Sequence, residues 1–321
     1  MSRPAFALCV PTLNAGNAWH EWLAALRSQT HRPARVLVID SSSTDNTPAL
    51  ARAAGLDVVC IARHEFNHGG TRQYAIEQLG EFETVIFLTQ DALLANPQAL
   101  DNLVNALHAE HDIGAVYGRQ LPHHGAKPIE AHARLFNYPT QSAVRSLDDR
   151  AQFGIKTAFF SNSFAAYRRE ALHAIGGFRR NLILGEDTVA AGQMLLAGWR
   201  IGYCAEAQVR HSHHYGLRAE MARYFDIGVL HSREAWMLER FGHAEGEGLR
   251  FIRSEAAHVL RHAPWMLPEA GLRTLLKYAG YRLGRMERRL PQTWKRALSM
   301  QPGFWRDQVS QKPSGGNEPK L

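Results

Sequence analysis

The first hundred residues alternate between short apolar runs and longer segments in which apolar positions recur every three or four residues. The runs 6–10 (FALCV), 34–40 (ARVLVID), 57–62 (DVVCIA) and 84–88 (TVIFL) read as buried strands. Segments 18–29, 47–55 and 71–80 between them carry helical spacing, and a fourth, 96–111, follows the last run. Strand and helix in alternation predict an α/β fold with a doubly wound, mostly parallel sheet, since parallel neighbours need a crossover helix that covers a sheet face.

Ligands of such sheets bind beyond the carboxyl ends of the strands. The segments leaving those ends are PTLN (11–14), DSSSTDNT (40–47), RHEFNHGGTR (63–72) and TQDA (89–92), so polar groups converge on one edge. The glycine fingerprint of a dinucleotide fold and the phosphate loop of NTPases are both missing, and those two classes recede.

Composition changes this picture little. The chain has 321 residues, 45% hydrophobic and 21% charged, enough for a substantial core. Its cysteines, Cys9, Cys60 and Cys204, are odd in number and far apart, with Cys9 and Cys60 in expected buried strands. They suit reduced thiols in a cytoplasmic protein rather than a disulfide framework. The apolar run after Arg3 is too short for a secretory signal, and no stretch approaches a membrane span. Charge is more informative: residues 1–215 hold 19 Lys and Arg against 19 Asp and Glu, whereas 256–308 hold 10 against 3. A basic C-terminal segment points to a phosphate-bearing substrate or an anionic membrane surface. Nucleic acid is disfavoured, because no recognition motif accompanies the surplus.

In order along the chain, PTLNAG, IDSSSTDNT, EFNHGGTR, FLTQDA, YGRQLPH, SNSFAAYRR, IGGFR, GEDTVAA and HSHHYG resemble the motifs of the GT-A-fold glycosyltransferases of family 2. The resemblance is closest to their rhamnosyltransferase branch and runs from Pro11 to about Tyr224. It implies a GT-A-like domain over 1–215. Its first half, about 1–115, binds a nucleotide-sugar donor through Pro11, Thr12, Asn14, Asp40, Asp45, His68, Gly69, Arg72, Gln90 and Asp91. Its second half, about 116–215, holds the acceptor and the catalytic base. A divalent cation, Mg2+ or Mn2+, bridges the donor diphosphate.

The residues themselves leave alternatives open. Asp40 ends a strand, where its carboxylate can accept from a base imide or a ribose hydroxyl; Asp45 or Thr44 reads equally as a helix cap. The glycines of NHGG allow close backbone approach before a helix N-terminus, or form an ordinary loop. Arg72 offers a charge-assisted contact to the nucleotide. Family members commonly carry D-x-D where this chain has Thr89, Gln90 and Asp91, so the first acid is missing. One carboxylate suffices for a hard cation whose shell is completed by diphosphate and water, and Asp91 could instead cap a helix. Related enzymes place a metal-binding histidine in VRHSHH (209–214). His211 matches it, with His213 second, although a histidine-rich turn in a chain with 17 His is also compositional.

In GEDTVAA, Asp187 matches the family's base, beside Glu186, while acids in a first helical turn are also favoured by the macrodipole. Arg119, His123, Asn162 and Glu186 are the acceptor-side candidates, and Arg168 and Arg169 read as a solvated helix start.

The segment 216–308 reads as a helical, basic extension. Leu272, Leu275, Leu276, Ala279, Leu283, Met286 and Leu290 form a stripe at helical spacing. Arg273, Lys277, Arg285, Arg288 and Arg289 are candidates for the opposite face, with Trp265, Trp294 and Trp305 as interfacial residues. Such a helix either lies on an anionic leaflet or packs its stripe on the core. Residues 309–321 are expected to be a disordered tail. The expected activity is inverting, metal-dependent transfer of L-rhamnose from dTDP-L-rhamnose to a lipid-linked glycan acceptor in cell-surface polysaccharide or lipopolysaccharide synthesis. The setting is the cytoplasm, peripheral to the inner membrane. A UDP-hexose or UDP-N-acetylhexosamine transferase, or a non-catalytic nucleotide-sugar or membrane-binding protein, is the alternative.

Overall fold

The computed structural model describes residues 4–244 and 246–310. Four strands come first, β1 (Ala7–Thr12), β2 (Arg35–Asp40), β3 (Asp57–Cys60) and β4 (Thr84–Leu88). They are followed by β5 (Leu93–Leu94), β6 (Ile113–Leu121), β7 (Ala143–Arg145), β8 (Phe164–Arg168) and β9 (Arg200–Arg210). These make one sheet in the order β3-β2-β1-β4-β8-β6-β9-β5, with β7 also on β9. β1 to β4, β6 and β9 point one way, and β5, β7 and β8 the other.

Strand side chains alternate between faces, and both faces are covered. Ala7, Cys9, Leu37, Ile39, Val85 and Phe87 meet the helices His68–Gln78 and Glu186–Leu196 in one cluster. Leu8, Val10, Val38, Ile86 and Leu88 meet Ala18–Arg27 and Ala99–His108 in the other. This two-sided burial explains why the strands read as unbroken apolar runs. Cys60 departs from expectation: it is exposed, because β3 is the edge strand. The helix expected from 71 starts at His68, because the Asn67 side chain accepts from the Gly70 N–H at 2.9 Å and caps it. Arg168 and Arg169 are not solvated. They donate to the main-chain carbonyls of Ile113 and Leu107, and of Phe82 and Ile76, at 2.7 to 3.2 Å.

The chain divides into two compact units. One runs up to His214 and takes in Trp236–Ala270; the other is Tyr215–Ala235 with the chain from Gly271 onward. Within the first unit the helix Glu247–His262 packs on Pro128–Asn137 through Val259 and Ile129 and the Phe136–Phe251 ring contact.

Within the second unit, the helix Leu217–Arg233 receives the part of helix Leu267–Arg285 that follows Ala270. Their backbones meet at glycines: a Cβ on Gly280 would stand 2.3 Å from the Met221 carbonyl oxygen, and one on Gly284 2.0 Å from that of Phe225. Arg273 and Lys277 are not a solvated face, since both pair with Glu220, at 2.6 and 3.2 Å. Trp305 is fully buried rather than interfacial, with Arg233 and Lys295 over its ring. The helix Pro302–Ser310 takes in the first two residues of the expected tail, and 311–321 lie outside the described residues. Among the described residues no helix is long and apolar enough to cross a membrane.

Candidate active site

The carboxyl ends of β1 and β2 are tied into one rigid edge. Asp40 is almost wholly buried, and its carboxylate accepts from the Thr12 hydroxyl at 3.0 Å and from the Ser43 amide and hydroxyl at 2.8 and 2.6 Å. Asn14 has a positive φ of 47°; its amide donates to Ser43 Oγ and its Oδ1 accepts from the Thr44 N–H, both at 2.8 Å. Asp45 accepts from the amides of Gly16 and Thr47 at 3.0 and 2.9 Å, which makes it the brace of its own turn. Hydroxyl and amide donors from Thr47, with the Gly16 amide, hold its carboxyl below the usual range. Gln90 is doubly bonded to the Leu13 main chain, at 2.8 and 3.0 Å, locking the exit of β4 to that of β1. Of this group Pro11 is half-buried and Asn14 exposed, while Thr12, Asp40, Asp45 and Gln90 spend their polar atoms on the loops themselves.

Asp91 follows β4, and His211 and His213 follow β9. His211 Nε2 stands 3.3 Å and His213 Nδ1 3.7 Å from the same Asp91 oxygen, and one ligand atom of each of the three lies within 4.8 Å of the others. The structure thus brings both histidines to Asp91. His211 is buried, and its Nδ1 is 2.8 Å from Gln120 Oε1. The Arg134 guanidinium donates to that same oxygen at 2.8 Å, and Gln120 Nε2 donates to Ser161 Oγ at 2.8 Å, so the amide's orientation is fixed. Gln120 Oε1 therefore accepts a hydrogen bond from Nδ1–H, which in the neutral imidazole leaves the Nε2 lone pair facing Asp91. Burial, outweighing the nearby Asp91 charge, pushes the His211 imidazole below its usual range, in keeping with a neutral ligand. Burial pushes the Asp91 carboxyl up; whenever His211 also carries a proton on Nε2, the hydrogen bond and charge it then presents outweigh that and hold the carboxyl well below the carboxylate range. A carboxylate oxygen and imidazole nitrogens converging on one point are mutually repulsive unless a cation or proton joins them, and this donor set fits Mn2+ or Mg2+.

The third element is the start of helix Glu186–Leu196. Glu186 is buried and accepts from Arg72 at 3.0 Å and from Asn162 Nδ2 at 3.0 Å. Asp187 accepts from the Asn162 amide at 3.0 Å and from the Thr188 amide at 2.7 Å. Asn162 Oδ1 in turn accepts from the Tyr167 hydroxyl at 2.7 Å. Burial raises the Glu186 carboxyl, yet the charges of Arg72 and His68, with the donors Asn162 and its own amide, together outweigh it and favour the ionised form. Asp187 has no such partner: burial, then the Glu186 charge, pushes it up to about 6. Its rim is half-open to solvent even though protein surrounds most of the carboxyl. The result is one acid held towards its charged form beside one pushed up towards neutrality, a pair suited to proton abstraction.

Several expected contacts are supports instead. Arg72 is buried under the acid pair, and Asn162 orients both acids. Gly69 is buried because its Cβ position is only 1.9 Å from the Arg179 carbonyl oxygen, so it serves close packing rather than phosphate approach. Half-buried His68 lies where its charge acts on Glu186. Arg119 donates to the Tyr138 carbonyl at 3.2 Å, and the His123 amide donates to Ser212 Oγ at 3.2 Å. Gln120, Arg134 and Tyr167 were missed. Gln120 stands inside the quoted YGRQLPH, where a glutamine within an apolar strand was the available signal.

This sheet, with a carboxylate–histidine cluster fit to hold a cation and a raised acid at the same edge, has the architecture of a GT-A enzyme. Residues 4–225 match the family described as glycosyltransferase like family 2, and the chain belongs to that family and is a glycosyltransferase. It is 48% identical over 303 residues to the O-antigen chain rhamnosyltransferase WbaN of Salmonella anatum, covering 94% of this chain and 96% of that protein. It is 46% identical over 299 residues to the O-antigen chain rhamnosyltransferase RfbN of Salmonella typhimurium, covering 93% and 95%. Its fold is shared with the mannosyltransferase PcManGT of Pyrobaculum calidifontis, solved with GDP-Man and Mn2+, at a TM-score of 0.57 and 22% identity over 97% of this chain and 89% of that one.

Proposed function

We propose that the protein is an O-antigen chain rhamnosyltransferase that transfers L-rhamnose from dTDP-L-rhamnose to a lipid-linked glycan in the cytoplasm, with inversion at the anomeric carbon. The observation that carries this reading is the near-full-length similarity to two proteins of that name. The donor lies across the braced ends of β1, β2 and β4, beside Pro11 and Asn14. Asp91, His211 and His213 would hold Mg2+ or Mn2+, which when bound stabilises the departing diphosphate. Asp187 takes the proton of the acceptor hydroxyl as its oxygen bonds to the anomeric carbon. The bond from that carbon to the diphosphate oxygen breaks, and its electron pair leaves with dTDP. Glu186, held ionised by Arg72, keeps Asp187 basic enough for this near neutral pH.

The test is nucleoside-diphosphate release from dTDP-L-rhamnose and from UDP-hexose and UDP-N-acetylhexosamine donors, with extracted lipid-linked glycans as acceptors. Release confined to dTDP-L-rhamnose and abolished by chelator supports the assignment; release from a UDP sugar replaces the donor. Asp187→Asn is expected to keep donor binding and lose at least a thousandfold in transfer. Full transfer by that variant removes Asp187 as the base.

A further inference from the structure

The second unit turns its long helix the opposite way from a core helix. At 100° per residue, Arg273, Lys277, Gly280 and Gly284 share the face that packs on Leu217–Arg233 and Glu220. Leu272, Leu275, Tyr278, Arg282 and Met286 fall on the opposite arc. Of these, Leu275 is 68% and Tyr278 62% exposed. Trp294, on the helix Gln292–Leu298, is 60% exposed. An aliphatic and aromatic stripe left in solvent while two cations are turned inward is the reverse of the usual partition.

The charge around the stripe identifies its occupant. Residues 271–306 carry nine Lys and Arg against one acid, Glu287. Arg273 and Lys277 are committed to Glu220, and Lys295 to Glu287 at 2.8 Å. Arg282, Arg285, Arg288, Arg289, Arg296 and Arg306 are exposed and have no carboxylate partner among the described residues. A second copy of this chain would bring the same cations against these, and an apolar protein patch would leave them uncompensated. An anionic lipid surface satisfies both features: acyl chains take Leu275, Tyr278 and Trp294, and headgroup phosphates take the arginines.

We infer that the second unit docks the enzyme on anionic membrane through the face Leu272–Leu275–Tyr278–Met286 with Arg282, joined by the exposed Arg285, Arg288, Arg289 and Trp294 that follow along the chain. This rests on that unit alone and not on the donor or acceptor assignment. The probe is the full chain with vesicles of phosphatidylcholine, with and without 30 mol% phosphatidylglycerol (about one lipid in three), read by co-sedimentation without donor or acceptor. Binding confined to the anionic vesicles and weakened by salt is expected. Arg288→Ser with Arg289→Ser is expected to weaken it about 25-fold, at roughly fivefold per arginine. Leu275→Ser with Trp294→Ser is expected to weaken it at least tenfold at unchanged circular dichroism. Equal binding to neutral vesicles, no binding to either, retention by both double variants, or concentration-dependent dimerisation abolished by Leu275→Ser would overturn the inference. None of these outcomes bears on nucleoside-diphosphate release, so failure here leaves the transfer reaction standing.

Discussion

Glu186→Gln tests how Asp187, the proposed base, is tuned. In the wild type Asp187 is pushed up to about 6, first by burial and then by the Glu186 charge, against the amides of Asn162 and Thr188. A general base acts as the carboxylate, so kcat falls tenfold per pH unit below that value and is level above it. Gln keeps an acceptor for Asn162 Nδ2 and removes one negative charge. Unit charges roughly 5–8 Å apart interact by about 2–3 kcal/mol at an effective dielectric of about 20. The half-open rim of Asp187 screens part of that, leaving about 1.4 kcal/mol, or one pH unit. The acid limb therefore moves to lower pH, and at pH of about 5 the variant retains about fivefold more of its own plateau rate than the wild type. The same change leaves Arg72 buried without its carboxylate, at a cost of about 3–5 kcal/mol in stability. Arg72→Met with Glu186→Gln removes opposite charges together, restores stability and returns the limb towards the wild-type position. The assay is nucleoside-diphosphate release at saturating donor across pH, with melting curves alongside. An acid limb that stays in place or moves up in Glu186→Gln refutes the coupling.

The cation cluster and the packing glycine give two further expectations. Asp91→Asn and His211→Ala should each weaken Mn2+ binding, measured by electron paramagnetic resonance without turnover; Gln120→Leu, which leaves all three ligands in place, should still weaken it ten- to a hundredfold by releasing the His211 ring. Unchanged Mn2+ affinity in Gln120→Leu would show that the Nδ1 contact does not position the ligand. Gly69→Ala should cost about 1–3 kcal/mol or more in urea unfolding, because its Cβ meets a main-chain oxygen. Gly70→Ala, where the nearest atom is 3.5 Å from the added carbon, should lie within about 0.5 kcal/mol of wild type.

The parallel half of the sheet was legible because β1, β2 and β4 are buried on both faces and carry no competing period. β8 was not. Its five residues, Phe164–Arg168, include two alanines and sit antiparallel between β4 and β6, and short runs of small residues carry no signal of their own. What commits them to a strand is pairing with partners some eighty and fifty residues earlier in the chain. The C-terminal stripe was found, but its orientation could not be. Periodicity places Leu272 and Leu275 opposite Arg273 and Lys277, and it is silent on which face turns inward. Gly280, Gly284 and Glu220 decide it, two by admitting a neighbouring backbone and one by pairing both cations.

A similar limit runs through the site. Motifs identify polar residues that converge on one edge, yet a carboxylate or guanidinium becomes a ligand contact or a brace according to what faces it. Asp40 and Asp187 are both acids at element ends; Asp40 is closed off by donors from β1 and its own loop, whereas Asp187 keeps a rim open to solvent. Arg72 looked like a contact to the nucleotide until Glu186, over a hundred residues later, claimed it. His211 is fixed by Gln120 across 91 residues and Asp187 by Asn162 across 25. These long-range bonds converge on residues 161–163, where Ser161 accepts from the amide that orients His211 and Asn162 holds the acid pair. One short loop thus couples the geometry of the Asp91–His211 cluster to that of Asp187, the proposed base. A change at Ser161 should disturb both sites at once, whereas a change at Arg134 should reach only the first.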